Sequence, residues 1–192
     1  MINLIKKSVF AGLLISLEGV VYLKCPDKTV GAFLFSFGLL GVFLLEANLY
    51  TGKVGYINSK RSVFDLMIIL GVNLVTAFLV GLIYGFISDT PITAFQSRMD
   101  KSWLQLLIDS FICGVLIYIA VEFWKSGKQV LPVILCVMAF ILGGAEHSIA
   151  DMFFLSATKD FSVEAFGRVG LIVIGNGIGS ISIRLLQKGW KM

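Results

Sequence analysis

Charge is scarce in this chain: only 15% of its 192 residues are Asp, Glu, Lys or Arg, while 57% are hydrophobic. A soluble domain carries about 25% charged residues, so this composition cannot cover a water-facing surface. The mean hydropathy of +0.92 and several apolar runs close to the roughly 20 residues that cross a bilayer make it an integral membrane protein. Histidine is scarcer still, with His147 alone. One histidine and no HExxH pattern leave a metalloenzyme without ligands, so neither a metal nor a cofactor is expected. Ser148 adjoins His147 in sequence, which is not how a nucleophile and its base meet, and no enzyme is expected. Cys25, Cys113 and Cys136 have no metal or redox spacing. Two of them sit in apolar runs, where cysteine behaves as a small hydrophobe, and no disulfide is expected. The net charge of +4 does not point to nucleic acid, because the basic residues flank apolar runs and have a topological explanation.

The apolar runs predict six spans, roughly 5–23, 29–50, 62–87, 103–124, 130–157 and 168–186. MINLIKKSVFAGLLISLEGVVYL begins with basic residues like a signal peptide. Its apolar run is too long and no small-residue cleavage site is clear, so it reads as the first span. A cytoplasmic N-terminus puts Lys6, Lys7, Lys53, Lys60, Arg61, Lys125, Lys128, Arg184, Lys188 and Lys191 inside. Lys24, Lys28, Arg98, Lys101, Lys159 and Arg168 then fall outside. That excess of inner bases predicts both termini in the cytoplasm. Connections are short, the longest being ISDTPITAFQSRMDKSW, which predicts one transmembrane domain over 1–192.

The chain is organised around GGAEHSIADMFF, Gly143 to Phe154, which sets Glu146, His147 and Asp151 beside the apolar VLPVILCVMAFIL. Ionisable groups at membrane depth face a cavity or a partner. Gly143 and Gly144 are where the helix can unwind, predicting a broken fifth span around a site. The two halves, about 1–90 and 100–192, also echo one another. LLISLEGVVYL against LLIDSFICGVLIY sets Ser16 opposite Asp109, LLEANLYTG against LGGAEHSIA sets Glu46 opposite Glu146, and GVN against IGN sets Asn73 opposite Asn176. Three spans per half give the halves opposite orientation, an inverted repeat whose site lies near the midplane. Glu46 and Glu146 are expected to accept hydrogen bonds from N–H groups freed at the breaks, and Asn73 and Asn176 to tie backbone there. GNGIG is not a nucleotide loop, because it lies inside a span with no strand before it.

AEHSIADMFF, EANLYTGK, FAGLLISLEGVVYLK and GNGIG together resemble the formate/nitrite transporter family over nearly the whole chain. The resemblance implies an all-α, aquaporin-like protomer of six spans with the second and fifth broken. It also implies a homopentamer with one pore per subunit, moving small monovalent anions such as formate, nitrite, hydrosulfide, acetate or lactate, with protons in some members. By resemblance His147 is the central pore histidine and Thr51 the threonine of the loop interrupting helix two, with Leu49 and Tyr50 as its gating neighbours. Phe35, Leu39, Ile112 and Phe140 fall at two apolar constrictions. Asp109 departs from the asparagine common in formate channels; a carboxylate there either holds His147 protonated or, if neutral, donates a hydrogen bond to it. The sequence also starts without the family's N-terminal cytoplasmic segment and is short after Thr51. The family's mostly prokaryotic distribution implies an inner membrane.

An anion leaving water for an apolar constriction loses several kcal/mol that its conjugate acid does not. Histidine, with an ordinary pKa of about 6.5, is suited to assist its protonation, and helix N-termini at the breaks favour the anion. The expected function is therefore proton-linked permeation of formate or nitrite through a lipid bilayer. Hydrosulfide, a short-chain carboxylate, or a structural subunit without transport are the alternatives.

Overall fold

In an apolar medium backbone polar groups must be satisfied within their own segment, which favours helices. The computed structural model describes residues 1–88 and 93–189 and is all-helical, with no strand among the described residues. Lys191 and residues 89–92 of the longest connection lie outside the described residues. In order, the helices are α1 (Ile2–Lys24), α2 (Lys28–Leu44), α3 (Tyr50–Lys53, followed by a 3₁₀ turn at Val54–Tyr56), α4 (Lys60–Ile87), α5 (Gln96–Met99), α6 (Trp103–Lys125), α7 (Val130–Leu142), α8 (Ser148–Thr158) and α9 (Val163–Gln187). Polar side chains set the starts: Asp27, Ser59, Ser102 and Ser162 each accept a first-turn N–H of α2, α4, α6 and α9.

By length and composition α4, α6 and α9 can each cross a membrane, yet only 33%, 50% and 39% of their most apolar windows are buried. Leu79, Ile83 and Phe86 of α4 are more than half exposed, an outward apolar face that suits lipid. The helices form two sets, α1 with α2 and α4, and α6 with α7 and α9; α2 on α7 and α4 on α8 join them. Small residues permit these approaches: a Cβ on Gly81 would strike the Phe153 carbonyl of α8, and one on Gly179 the Phe111 carbonyl of α6.

α2 and α7 end in the same way. After α2, Glu46 N–H donates to Phe43 O (3.3 Å) and Ala47 N–H to Val42 O (2.9 Å). After α7, Gly144 N–H donates to Ile141 O (3.2 Å) and Ala145 N–H to Phe140 O (2.9 Å). Each is a Schellman closure, whose turning residue takes positive φ. Gly144 adopts φ 72° at no steric cost, whereas Glu46 adopts φ 50° with a side chain. Gly143 keeps an ordinary helical φ of −77°.

Two buried asparagines fasten the chain that follows. Asn73 of α4 accepts Tyr50 N–H at 2.9 Å and donates to Ser8 O (2.7 Å) and Asn48 O (3.0 Å). Asn176 of α9 accepts Ser148 N–H at 2.9 Å and donates to Ser110 O (2.8 Å) and Glu146 O (2.8 Å). Likewise Asn48 N–H meets Lys7 O at 3.0 Å and Glu146 N–H meets Asp109 O at 3.3 Å. These bonds set Asn48 against Glu146, Glu46 against Gly144 and Lys7 against Asp109. The pairings of Glu46 with Glu146 and Ser16 with Asp109 read from the sequence are therefore out of register, because apolar runs slide along one another without penalty while the polar bonds do not. The pairing of Asn73 with Asn176 coincides with the matching bonds. The segments after the breaks differ: α8 has 11 residues and α3 only 4, so a helix-dipole contribution is confined to α8.

Replacing Asn176 by Leu orphans one N–H and two carbonyls in a buried site, at about 1–3 kcal/mol each. The expected result is a midpoint of thermal unfolding in detergent well below that of the wild type; an unchanged midpoint would contradict the role of the clamp. Glu46→Gly removes an αL side chain worth about 1 kcal/mol against an exposed pair with Lys7 worth less. It is expected to raise the same midpoint.

Candidate functional site

Holding the ends of both breaks in place brings Thr51 and His147 together. Thr51 Oγ1 lies 2.9 Å from His147 Nε2, and the residues are 1% and 3% exposed. His147 is also the N-cap of α8: its Nδ1 accepts Ala150 N–H at 3.3 Å. With Nδ1 an acceptor, the ring is the neutral tautomer that carries its proton on Nε2 and donates it to the Thr51 oxygen, leaving the Thr51 hydroxyl proton free to be given elsewhere. Phe140 stacks on the imidazole (centroids 5.9 Å, 22°), and Phe35 meets Phe140 edge-on (6.3 Å, 90°).

His147 borders one cavity; Thr51 borders neither, but Leu49 and Gly52 beside it in the chain border another. One of about 300 Å³ is bordered by Tyr22 near the end of α1, by Arg98 and Lys101 in the connection after α4, and by Phe35, Phe140 and His147. The other, about 610 Å³, is bordered by Leu4 and Lys7 at the start of α1, Asp65 at the start of α4, Lys125 at the end of α6, and Leu49 and Gly52. The cavities thus lie toward opposite ends of the helices. Leu39, 2% exposed, borders neither; it sits on α2 between Phe35, which lines the first, and Val42, which lines the second.

Several expectations need correction. Asp109 does not reach His147. Its Oδ2 lies 2.6 Å from Lys101 Nζ and its Oδ1 accepts from Gln105 Nε2 at 2.9 Å, because a nearby cation is a better partner for a carboxylate than a neutral ring. It also borders neither cavity. Ile112 is 44% exposed and does not face Leu39: the inward face of α6 runs through Asp109, Cys113 and Ile117, and Ile112 falls off that stripe. Tyr50 borders neither cavity, its hydroxyl being held by Val173 O at 3.1 Å. Neither glutamate takes the N–H groups of a break, since the asparagines do so. Glu46 faces Lys7 at 3.4 Å with its side chain 82% exposed. Glu146 is ion-paired, Oε1 with Lys101 at 2.6 Å and Oε2 with Arg98 at 2.8 Å.

Arg98, Lys101 and Asp151 were not assigned to the site from sequence. Arg98 and Lys101 read only as topological charge, and Asp151 as a neighbour of His147. Arg98 Nε donates to Asp151 Oδ1 at 3.0 Å. Arg168 of α9, 5% exposed, donates to the carbonyls of Arg98 and Lys101, both at 2.8 Å, and so fixes the segment that carries them. Burial pulls the Lys101 ammonium down, but its hydrogen bonds to Asp109 and Glu146 outweigh this and leave it above the ordinary lysine range. Lys101 is therefore a cation at any physiological pH. The only sequence signal for this group was the i, i+3 spacing of Arg98 and Lys101 in a connection opposite an acidic break.

Comparison with known proteins adds three likenesses. The chain is 30% identical to "Uncharacterized transporter YrhG" of Bacillus subtilis (strain 168), over 80% of this chain and 67% of that protein. It is 23% identical to "Formate channel FocA" of Haemophilus influenzae, over 72% of this chain and 58% of that one, so it matches only part of the length of these relatives. A solved "Pentameric formate channel with formate bound" superposes with a TM-score of 0.82 at 21% identity, covering 97% of this chain and 95% of that one, which is a likeness of fold. A family profile described as "Formate/nitrite transporter" matches residues 1–187, and the chain belongs to the formate/nitrite transporter family.

Proposed function

We propose that the chain is a transmembrane channel or transporter for small monovalent anions, formate or nitrite foremost, with permeation linked to protons. The observation that carries this reading is the buried contact of Thr51 with His147: His147 borders the smaller cavity, while Leu49 and Gly52, beside Thr51 in the chain, border the larger one toward the opposite end of the bundle. An anion that enters the smaller cavity takes up a proton, passes between the rings of Phe35 and Phe140 and reaches the Thr51 hydroxyl, polarised by His147 behind it. On this reading Leu39 and Leu49 line the apolar passage between the cavities. His147 assists as a neutral hydrogen-bond donor and as the cap that holds α8, not as an imidazolium, since a proton on Nδ1 would break its bond from Ala150.

The accompanying architecture is one transmembrane domain of six spans in two inverted halves, the second and fifth spans broken at 45–49 and 143–147. The matching bonds of Asn73 and Asn176 and the matching helix closures support it. Five copies around an axis with one pore each are favoured by the likeness to the pentameric formate channel. Both termini then lie in the cytoplasm of a cell with an inner membrane. Hydrosulfide, acetate or lactate in place of formate, and a structural subunit that transports nothing, are the readings that the experiment separates.

Proteoliposomes loaded with the protein are expected to take up formate or nitrite faster as external pH falls from about 8 to 5. His147→Asn keeps a cap for α8 but loses the ring that orders Thr51. A polarised hydrogen bond to an anion is worth about 1.5–3 kcal/mol, so flux is expected to fall about 10- to 100-fold. Unchanged flux and pH dependence in this variant would contradict the pathway, and wild-type protein passing none of these anions would favour the structural subunit.

A further inference from the structure

The ionic cluster at the smaller cavity carries more acid than base, although Asp109 itself does not border the cavity. Five side chains form a chain of alternating sign: Asp109, Lys101, Glu146, Arg98, Asp151, with successive contacts of 2.6, 2.6, 2.8 and 3.0 Å. Each cation lies between two carboxylates, so neither is uncommitted, and three acids are matched by two bases. The other groups facing Asp151 do not redress this. They are the neutral His147 ahead of α8 and the buried Cys113 thiol of α6, which feels the charges of both Asp151 and Glu146. Tyr22 of α1 borders the same cavity as a neutral phenol. The first turn of α8, Arg98 and Lys101 favour a carboxylate at Asp151, while burial and Glu146 disfavour it.

Asp151 is 1% exposed and borders the cavity. Its Oδ1 takes the single Nε hydrogen of Arg98; its Oδ2, like Glu146 Oε2, has no hydrogen-bond donor among the described residues, but Glu146 keeps the Lys101 ammonium on its other oxygen. A buried, donorless carboxylate oxygen in a cluster one negative charge in excess is a poor place for charge and a good one for a hydroxyl. His147 cannot take the role, both of its ring nitrogens being engaged.

We infer that Asp151 holds the proton of this cluster at rest and hands it to the conjugate base of a weak acid that enters the cavity. The inference rests on the anion-permeation reading above. In the step the Oδ2–H bond breaks, the anion's own O–H or S–H bond forms, and Asp151 is left as a carboxylate beside Arg98; a proton from vestibule water then restores it. The neutral acid moves on to Thr51 and gives up its proton to water on the far side. Asp151 thereby sets the substrate class: formate, nitrite and hydrosulfide accept a proton from a carboxylic acid, whereas nitrate and chloride, bases of strong acids, do not.

Infrared spectra of the full chain in lipid at pH 7 are expected to show the carbonyl band of a protonated carboxyl group, absent in Asp151→Asn. No such band in the wild type, or a band kept in Asp151→Asn and lost in Glu146→Gln or Asp109→Asn, would overturn the assignment. In proteoliposomes with a trapped pH dye, wild-type protein is expected to move protons with formate and to pass neither nitrate nor chloride. Asp151→Asn is expected to lower the protons moved per formate by about tenfold or more, and Asp151→Glu to restore part of it. An unchanged ratio in Asp151→Asn, or ready nitrate flux in the wild type, would overturn the transfer. Absence of all anion flux in the wild type would sink the permeation reading instead, and the infrared result, independent of flux, then decides whether Asp151 holds the proton.

Discussion

The structure depends on two buried carboxamides. Where a helix stops inside an apolar medium, the freed N–H and C=O groups have no water to turn to, and each unpaired group costs about 1–3 kcal/mol. A carboxamide offers two donors and an acceptor on one rigid plane. Asn73 and Asn176 each use all three, on the N–H that opens the next helical segment, a carbonyl just before it and a carbonyl of a neighbouring long helix. Thr51 follows one clamped residue and His147 precedes the other, so the 2.9 Å contact between them follows from where the asparagines hold the chain.

Charge is then distributed asymmetrically about that contact. Toward the end of α1 lies the packed ionic chain from Asp109 to Asp151, buttressed by Arg168 on the backbone of Arg98 and Lys101. Toward the start of α1 lies the looser pair of Lys7 and Glu46, 36% and 82% exposed. A buried network of this kind is a weak source of stability, since desolvation offsets much of its attraction. Its consequence is a fixed electrostatic setting for whatever enters the smaller cavity, with every cation already engaged. On the function proposed above, passage between the cavities would fall to apolar side chains and the Thr51–His147 pair, an interior that suits a neutral permeant better than a naked ion.

The apolar runs, the glycine pair at which α7 closes and the isolated histidine were legible in the sequence because each is a local departure: in hydropathy, in backbone freedom, or in residue type. Asn73 against Asn176 was legible for the same reason, as a lone polar residue at one depth in two spans. The register around 46 and 146 was not, since apolar flanks align equally well two residues apart and only long-range hydrogen bonds fix it. Glu46 at a left-handed turn gave no warning, glutamate being an unusual residue there. Ile112 was misplaced by one step of helical phase. The partner of Asp109 was missed because Lys101 sits in a connection, outside any periodic pattern, and reaches across the start of α6. Nothing short of the folded backbone shows that loop bases and break acids share one cavity.

If the chain conducts as proposed, the permeating species meets Thr51 and His147 as one unit. The most direct measurement is a double-mutant cycle on formate flux in proteoliposomes, using Thr51→Val, His147→Asn and the pair. If both side chains act through one hydrogen bond, the double variant is barely slower than either single one, a coupling of about 1 kcal/mol or more. Effects that add to within about 0.5 kcal/mol, or single variants that transport like the wild type, would contradict it.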